Sequence, residues 1–319
     1  MNALKTQIKH DLKRFNATSK SIETLFIGGG TPSTVSPELY KPIFNLLKPY
    51  LKDDIEITSE ANPNSATYEW LEGMHKIGIN RISFGVQSFN TAKLKLLNRA
   101  HTAKQAIEAI QNAHKIGFKN LSLDLIYATL GDTKELLQHD INEAFSLPIN
   151  HISAYALTIE EGTLFEKKPQ MSKEKLELTQ WLFEEITCRG FKQYEISNFG
   201  TYQSIHNLGY WLYKDYIGAG SGAVGKLKGE RFYPTCNIEE YIKNPLNIKE
   251  EILNEDEQRL EKIFLGLRSE VGIDSVTLNQ NELIQAELLL QEKKLTLKNA
   301  TFYNKDFLLA DEIALFLTS

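Results

Sequence analysis

The chain turns on the stretch Thr24-Leu25-Phe26-Ile27-Gly28-Gly29-Gly30-Thr31-Pro32-Ser33. A short apolar run, the mark of a buried strand, ends in three glycines. Glycine has no side chain to hold a neighbour off. A glycine run at a strand end therefore marks either backbone that a ligand approaches or a tight strand-to-helix turn. Pro32 fixes the way out. The stretch alone leaves both readings open.

Outward from it, the first two-thirds of the chain alternates strand and helix signals. Apolar runs at Thr24–Ile27, Ile55–Ser59, Arg81–Val86, Leu121–Ile126 and His151–Leu157 predict strands, and a more polar run at Lys192–Ile196 predicts another. Ser36-Pro37 opens a helix, with serine as N-cap and proline at the first helical position. Thr102 and Gln105 predict a capping box for Thr102–Ile116. Gly78, Gly117 and Gly190 each stand between a helix and a strand, where a left-handed C-cap belongs. His75-Lys76-Ile77-Gly78-Ile79-Asn80-Arg81-Ile82-Ser83 is echoed by His114-Lys115-Ile116-Gly117-Phe118-Lys119-Asn120-Leu121-Ser122. Repeated units of this kind predict an α/β fold, either a doubly wound sheet or a (β/α) barrel.

Barrel enzymes build their sites from the carboxyl ends of strands. Those positions hold Gly28, Gly29 and Gly30, then Glu60, Gln87, Asp124, and the group Tyr155, Ala156 and Thr158. A cap or a structural hydrogen bond explains any one of them. In phase, beside a triple glycine, they predict one ligand site.

Composition narrows the function classes. The net charge is −5 and no Lys/Arg run stands out, so nucleic acid is not an expected partner. No apolar stretch approaches the ~18 residues of a membrane span. The opening MNALKTQIKHDLKRF lacks a secretory core and sets Leu4, Ile8, Leu12 and Phe15 on one helical face, expected to pack on the domain. Only two cysteines occur, Cys188 and Cys236, neither in a ligand-spaced group. They exclude a cysteine metal site built by this chain, and both are expected to be semi-buried thiols in a reducing cytoplasm.

Gly220, Gly222 and Gly225 form a G-x-G-x-x-G. A dinucleotide fingerprint needs a strand before it and a helix after it. Lys226–Tyr233 instead reads as a hairpin, so a plain glycine-rich loop is expected. From Pro245 the alternation stops. Helices over Asp256–Ser269 and Asn279–Glu292, a hairpin over Lys294–Asn304 and a last helix over Asp306–Leu317 predict a small winged-helix-like module. Its acidic opening, Glu250, Glu251, Glu255, Asp256 and Glu257, argues for packing or a partner rather than DNA. The expected domains are 1–200, a connecting segment 201–245, and 246–319.

These motifs together resemble radical S-adenosylmethionine (SAM) proteins of the oxygen-independent coproporphyrinogen III oxidase-like group, in its heme-chaperone branch. The matching pieces, in the family's order, are Gly28–Ser33, Glu60-Ala61-Asn62-Pro63, Arg81–Ser88, Leu97-Asn98-Arg99-Ala100-His101, Asp124-Leu125-Ile126-Tyr127, Tyr155–Thr163, Tyr194–Phe199 and His206–Trp211. The resemblance implies a partial (β/α)6 TIM-like barrel lacking its first strand, with an α+β winged-helix-like C-terminal domain. It implies that Gly28, Gly29, Gly30 and Thr31 meet the methionine part of SAM and that Arg99 pairs with its carboxylate. Glu60, Gln87 and Asp124 would surround the ribose, with Ala156 on the adenine side. His206, Tyr210 and Trp211, in His206-Asn207-Leu208-Gly209-Tyr210-Trp211, match a stretch linked with heme; imidazole ligates iron and the rings flank a porphyrin. A hydrogen-bonded histidine is the competing explanation for His206.

The chain also departs from the family. The C-x-x-x-C-x-x-C that ligates a [4Fe–4S] cluster does not occur in it. We expect that segment to lie upstream of Met1, the alternative being a cluster-free protein. No catalytic residue is assigned, and SAM cleavage is not expected of this chain. Ala128-Thr129-Leu130 stands where the family has Gly-Leu-Pro, and Ala223-Val224 where it often has Ala-His. The expected function is that of a heme chaperone passing heme to an acceptor protein; coproporphyrinogen III oxidation and cluster-free binding are the alternatives.

Overall fold

A computed structural model describes residues 1–159, 162 and 165–319. Glu160, Glu161 and Thr163 of the stretch Tyr155–Thr163 lie outside the described residues. The first half of the chain runs α1 (Asn2–Arg14), β1 (Ile22–Ile27), α2 (Pro37–Leu47), β2 (Leu51–Ala61), α3 (Tyr68–Lys76), β3 (Arg81–Gln87), α4 (Thr91–Leu96), α5 (Ala103–Ile116), β4 (Asn120–Tyr127), α6 (Lys134–Phe145) and β5 (His151–Ala156). The second half runs α7 (Leu176–Cys188), β6 (Lys192–Gln193), β7 (Asn198–Gly200), α8 (Ile205–Trp211), β8 (Gly225–Leu227), β9 (Glu230–Pro234), α9 (Ile238–Lys243), β10 (Ile248–Ile252), α10 (Glu255–Leu267), β11 (Ile273–Asp274), α11 (Gln280–Gln291), β12 (Leu295–Lys298), β13 (Thr301–Asn304) and α12 (Ala310–Leu317).

α5 shows how local sequence sets an element. The predicted capping box between Thr102 and Gln105 opens it, Ala106, Ala109, Ile110 and Ala113 make its buried face, and Gly117 closes it at φ 114°. Alanines at that spacing let a helix lie close against its neighbours.

Seven strands pair in the order β1-β2-β3-β4-β5-β7-β6. β2 through β5 are mutually parallel. A doubly wound sheet reverses its strand order at a switch point. Here the first five strands follow chain order without reversal, as in a barrel wall. The expectation at Lys192–Ile196 needs correction: only Lys192–Gln193 is strand, and the chain returns antiparallel as β7. Tyr194 N donating to Asn198 O and Gln193 Nε2 donating to Ile196 O close a turn where a strand would continue.

The chain divides into two compact units. One comprises Thr24–Lys41 and Glu56–Gln203. Its strands bury Ile82, Phe84, Val86, Leu121, Leu123 and Ile152 completely. α4 is anchored by an ion pair, Lys93 Nζ to Asp132 Oδ1 at 2.8 Å, with Asp140 Oδ2 at 4.0 Å and all three side chains at most 3% exposed. Asp140 also accepts from Ser88 Oγ and the Phe89 amide. Ala128, where a glycine was the family's residue, takes the left-handed φ of 59°. Thr129 N donating to Asp132 Oδ2 and Leu130 N donating to Met171 O hold that loop in place.

The other unit comprises Met1–Glu23, Pro42–Ile55 and Ser204–Ser319. The apolar face of α1 is buried at Ile8 and Leu12, as expected. The glycine-rich loop opens no helix. It leads into the antiparallel β8–β9 hairpin, and Gln7 ties it down by donating to Gly218 O and accepting from Gly220 N. A side chain at Gly218 would strike the Val224 carbonyl at 2.0 Å, so this glycine serves a close backbone approach. β11, β12 and β13 form a three-stranded antiparallel sheet among α10, α11 and α12, over a core that includes Ile263, Leu267, Leu289, Phe302 and Ile313. Among the described residues no helix is long and apolar enough to cross a membrane.

Both cysteines are exposed, contrary to the half-buried environment expected. The buried face of α7 runs through Thr179, Leu182, Phe183 and Ile186, and Cys188 lies two residues on, just over half a turn away. Cys236 falls in the turn between β9 and α9.

Candidate functional site

The residues at the strand ends converge. A cavity of about 190 Å3 is lined by Gly30, Thr31, Glu60, Gln87, Arg99 and Asp124, all six singled out from sequence. Pro32, Ala61, Asn62, Ser83 and Gly85 complete the wall. Ser83 and Gly85 carried a signal that was legible: in β3 they alternate with the fully buried Ile82, Phe84 and Val86, and so face the other side.

Each strand end is shaped locally. Gly29 and Gly30 adopt φ of 73° and 41°, the left-handed region that glycine enters freely. Gly28 does not line the cavity; a side chain there would meet the Phe26 ring and Glu60 Cδ. The β1 and β2 ends are tied together by Asn62 N donating to Ser33 Oγ at 3.0 Å and Asn62 Nδ2 donating to Thr31 Oγ1 at 3.3 Å. At the end of β3 the register with β4 shifts between Phe84 and Gln87, and Gln87 takes φ 68°. A bulge with a left-handed non-glycine residue is a typical way to aim a side chain at a site. Arg99 is held between two buried anchors, Leu97 and His101, the latter donating from Nε2 to Val86 O at 2.9 Å. Ala156 ends β5 opposite Tyr127 and is not on the cavity wall.

The site is electrostatically loaded. Burial pushes the Asp124 carboxyl up to about 6, and Glu60 adds to this. A hydrogen bond from Ser153, the Arg81 charge and Ser83 Oγ pull the other way. Glu60 is raised by burial and held back by the Gly29 amide. Burial lowers Arg99, and the Asp124 charge supports its guanidinium. The cavity thus offers two carboxylates, two side-chain amides and a guanidinium, with bare backbone between them. This set suits a small zwitterion carrying vicinal hydroxyls.

Glu195 was missed from sequence because its turn read as strand. It is 1% exposed, and burial raises its carboxyl to about 7, opposed by the Ser197 amide, Asn198 and Ile196. A carboxyl raised on folding contributes its stability below its unfolded value near 4.5 and loses it as pH climbs through 7. Glu195→Gln is therefore expected to match wild type near pH 4 and to be more stable by about 3 kcal/mol at pH 8. Thermal midpoints at the two pH values check this; equal midpoints at pH 8 would refute it.

His206, Tyr210 and Trp211 lie in the other unit, on α8, whose start is capped by Ser204 accepting from Asn207 N. His206 Nε2 and Tyr210 Oη are 3.0 Å apart, and the Tyr210 and Tyr216 rings meet edge-on at 4.7 Å. Trp211 Nε1 is buried without a hydrogen-bond partner. A [4Fe–4S] cluster does not fit the residues of this chain: two exposed cysteines far apart in sequence cannot make a three-thiolate set, and among the described residues no group of three metal-ligating side chains occurs.

Comparison with known proteins bears on this arrangement. The radical SAM superfamily model matches residues 4–144. Heme chaperone HemW of Lactococcus lactis is 33% identical over 268 residues, 80% of this chain and 71% of that protein. The Bacillus subtilis protein of that name is 34% identical over 291 residues, 86% and 76%. The Escherichia coli one is 38% identical over 219 residues, with 58% of its length covered. In structure, coproporphyrinogen III oxidase (HemN) from Escherichia coli, a radical SAM enzyme, superposes with TM-score 0.79 over 99% of this chain and 82% of that one, at 19% identity. That likeness shows that the α/β fold with its parallel strands is the radical SAM fold. By fold and by sequence, the chain belongs to the radical SAM family, among the HemN-like proteins that include heme chaperone HemW.

Proposed function

We propose that this chain is the body of a heme chaperone of the radical SAM type, binding SAM in the strand-end cavity and heme at α8. The observation that carries the SAM reading is the convergence of Gly30, Glu60, Gln87, Arg99 and Asp124 on one cavity. In this reading Arg99 forms a charge-assisted, two-pronged contact with the methionine carboxylate. Backbone carbonyls of Gly30 and Thr31 accept from the ammonium, and Glu60 and Asp124 accept from the ribose hydroxyls, with Gln87 both donating and accepting. SAM supplies a sulfonium centre when bound; the residues of this chain hold and orient it. His206, Tyr210 and Trp211 supply an iron ligand and ring faces for heme, which an acceptor protein then takes onward. The HemW relatives favour this over porphyrinogen oxidation.

Titration calorimetry with SAM is the direct test. Saturable one-to-one binding is expected without added iron or sulfide. Absence of binding to a folded chain would remove SAM from the cavity.

A further inference from the structure

We propose that Tyr210 Oη, rather than the His206 imidazole, is the atom that binds heme iron, with His206 as its hydrogen-bonded base. This deepens the heme reading above and rests on it. His206 and Tyr210 are one turn apart on α8, and His206 Nε2 lies 3.0 Å from Tyr210 Oη with the rings edge to face. One imidazole nitrogen is thus engaged by the phenol.

The surroundings point the same way. Tyr210 lines a cavity of about 250 Å3, and His206 does not. Tyr213, Tyr216 and Phe264 give that cavity aromatic faces. Lys214, Lys226 and Arg231 outnumber Glu261 on its wall; they are ion-paired with Glu23, Asp215 and Glu261 respectively, pairs that the carboxylates of a macrocycle would exchange for their own. Lys226 Nζ sits 3.7 Å from the centre of the Tyr213 ring.

His206 assists the chemistry. Ferric iron is hard and favours a phenolate oxygen. As the oxygen lone pair forms the Fe–O bond, the O–H bond breaks and its proton passes to His206 Nε2. The water or hydroxide on the iron of free hemin leaves. Iron stays ferric throughout, so no oxidant or reductant is needed.

The test uses the full chain mixed with hemin and followed by absorption and resonance Raman spectroscopy. Wild type is expected to show a phenolate-to-iron charge-transfer band and tyrosinate vibrations. Tyr210→Phe, which keeps the ring, is expected to lose both. His206→Ala is expected to keep the tyrosinate vibrations while binding hemin about tenfold more weakly, through loss of one hydrogen bond to the ligand. Circular dichroism confirms that each variant folds. A wild-type Soret change without tyrosinate vibrations, abolished in His206→Ala and kept in Tyr210→Phe, would overturn the proposal and leave imidazole as the ligand. A hemin spectrum unchanged by wild type would sink the heme reading itself, and this inference with it.

Discussion

Lys93→Met is expected to lower the thermal midpoint by about 10 °C. The ammonium and the Asp132 carboxylate are 2.8 Å apart with side chains 2% and 3% exposed. Lys93 Nζ and Asp132 Oδ1 lack a well-aligned hydrogen bond, so charge attraction is what holds them. Removing one partner strands the other in a medium that cannot solvate it, at about 3–5 kcal/mol. At roughly 2–4 °C per kcal/mol for a domain of this scale, the midpoint falls by that order. The pH dependence has a definite sign. Burial already raises Asp140, opposed by the Phe89 amide, Lys93 and Ser88. Without Lys93 it rises further. A raised carboxyl loses native stability as pH climbs through its folded value, so the deficit should grow toward pH 8 and shrink toward pH 4. Calorimetric midpoints across that range decide it. A shift below about 2 °C, or one independent of pH, would show that the pair contributes nothing net. Because α4 leads directly into Leu97 and Arg99, the same variant should also loosen the proposed SAM site.

Arg99→Ala should weaken SAM binding by about 10- to 100-fold. Hydrogen bonds to charged groups are worth about 1.5–3 kcal/mol, and each 1.36 kcal/mol is tenfold in affinity. The guanidinium is half-buried beside Asp124, so salt screens it less than a surface charge. Arg99→Lys keeps the charge but loses the planar fork, and intermediate affinity is expected. Dissociation constants from calorimetry test the order wild type, lysine, alanine. An alanine variant binding as tightly as wild type would place the carboxylate elsewhere.

Much of the site was legible because it lies on strand ends. A strand fixes side-chain direction with period two, so a polar residue closing an apolar run marks one end of the sheet before any contact is known. Glu60 and Gln87 declared themselves this way, and Asp124 did so by interrupting the apolar run Leu121–Ile126. Asn62 did not stand out, since a lone asparagine is explained equally well by a turn. Glu195 stayed hidden because Lys192–Ile196 looks like a strand. Only the fold shows its carboxylate buried in a turn.

The sequence by itself determined the alternation of elements, the glycine C-caps, the capping box and the family, because these depend on neighbours a few residues apart or on motifs in fixed order. Tertiary structure alone decided three things. Strand order excluded a doubly wound sheet, since pairing is non-local. It put Tyr210 and not His206 on the cavity wall, since the face a helix presents to a cavity depends on what packs around it. It put Lys93, Asp132 and Asp140 into one dry cluster, since residues about 40 positions apart meet only when the intervening strands have paired.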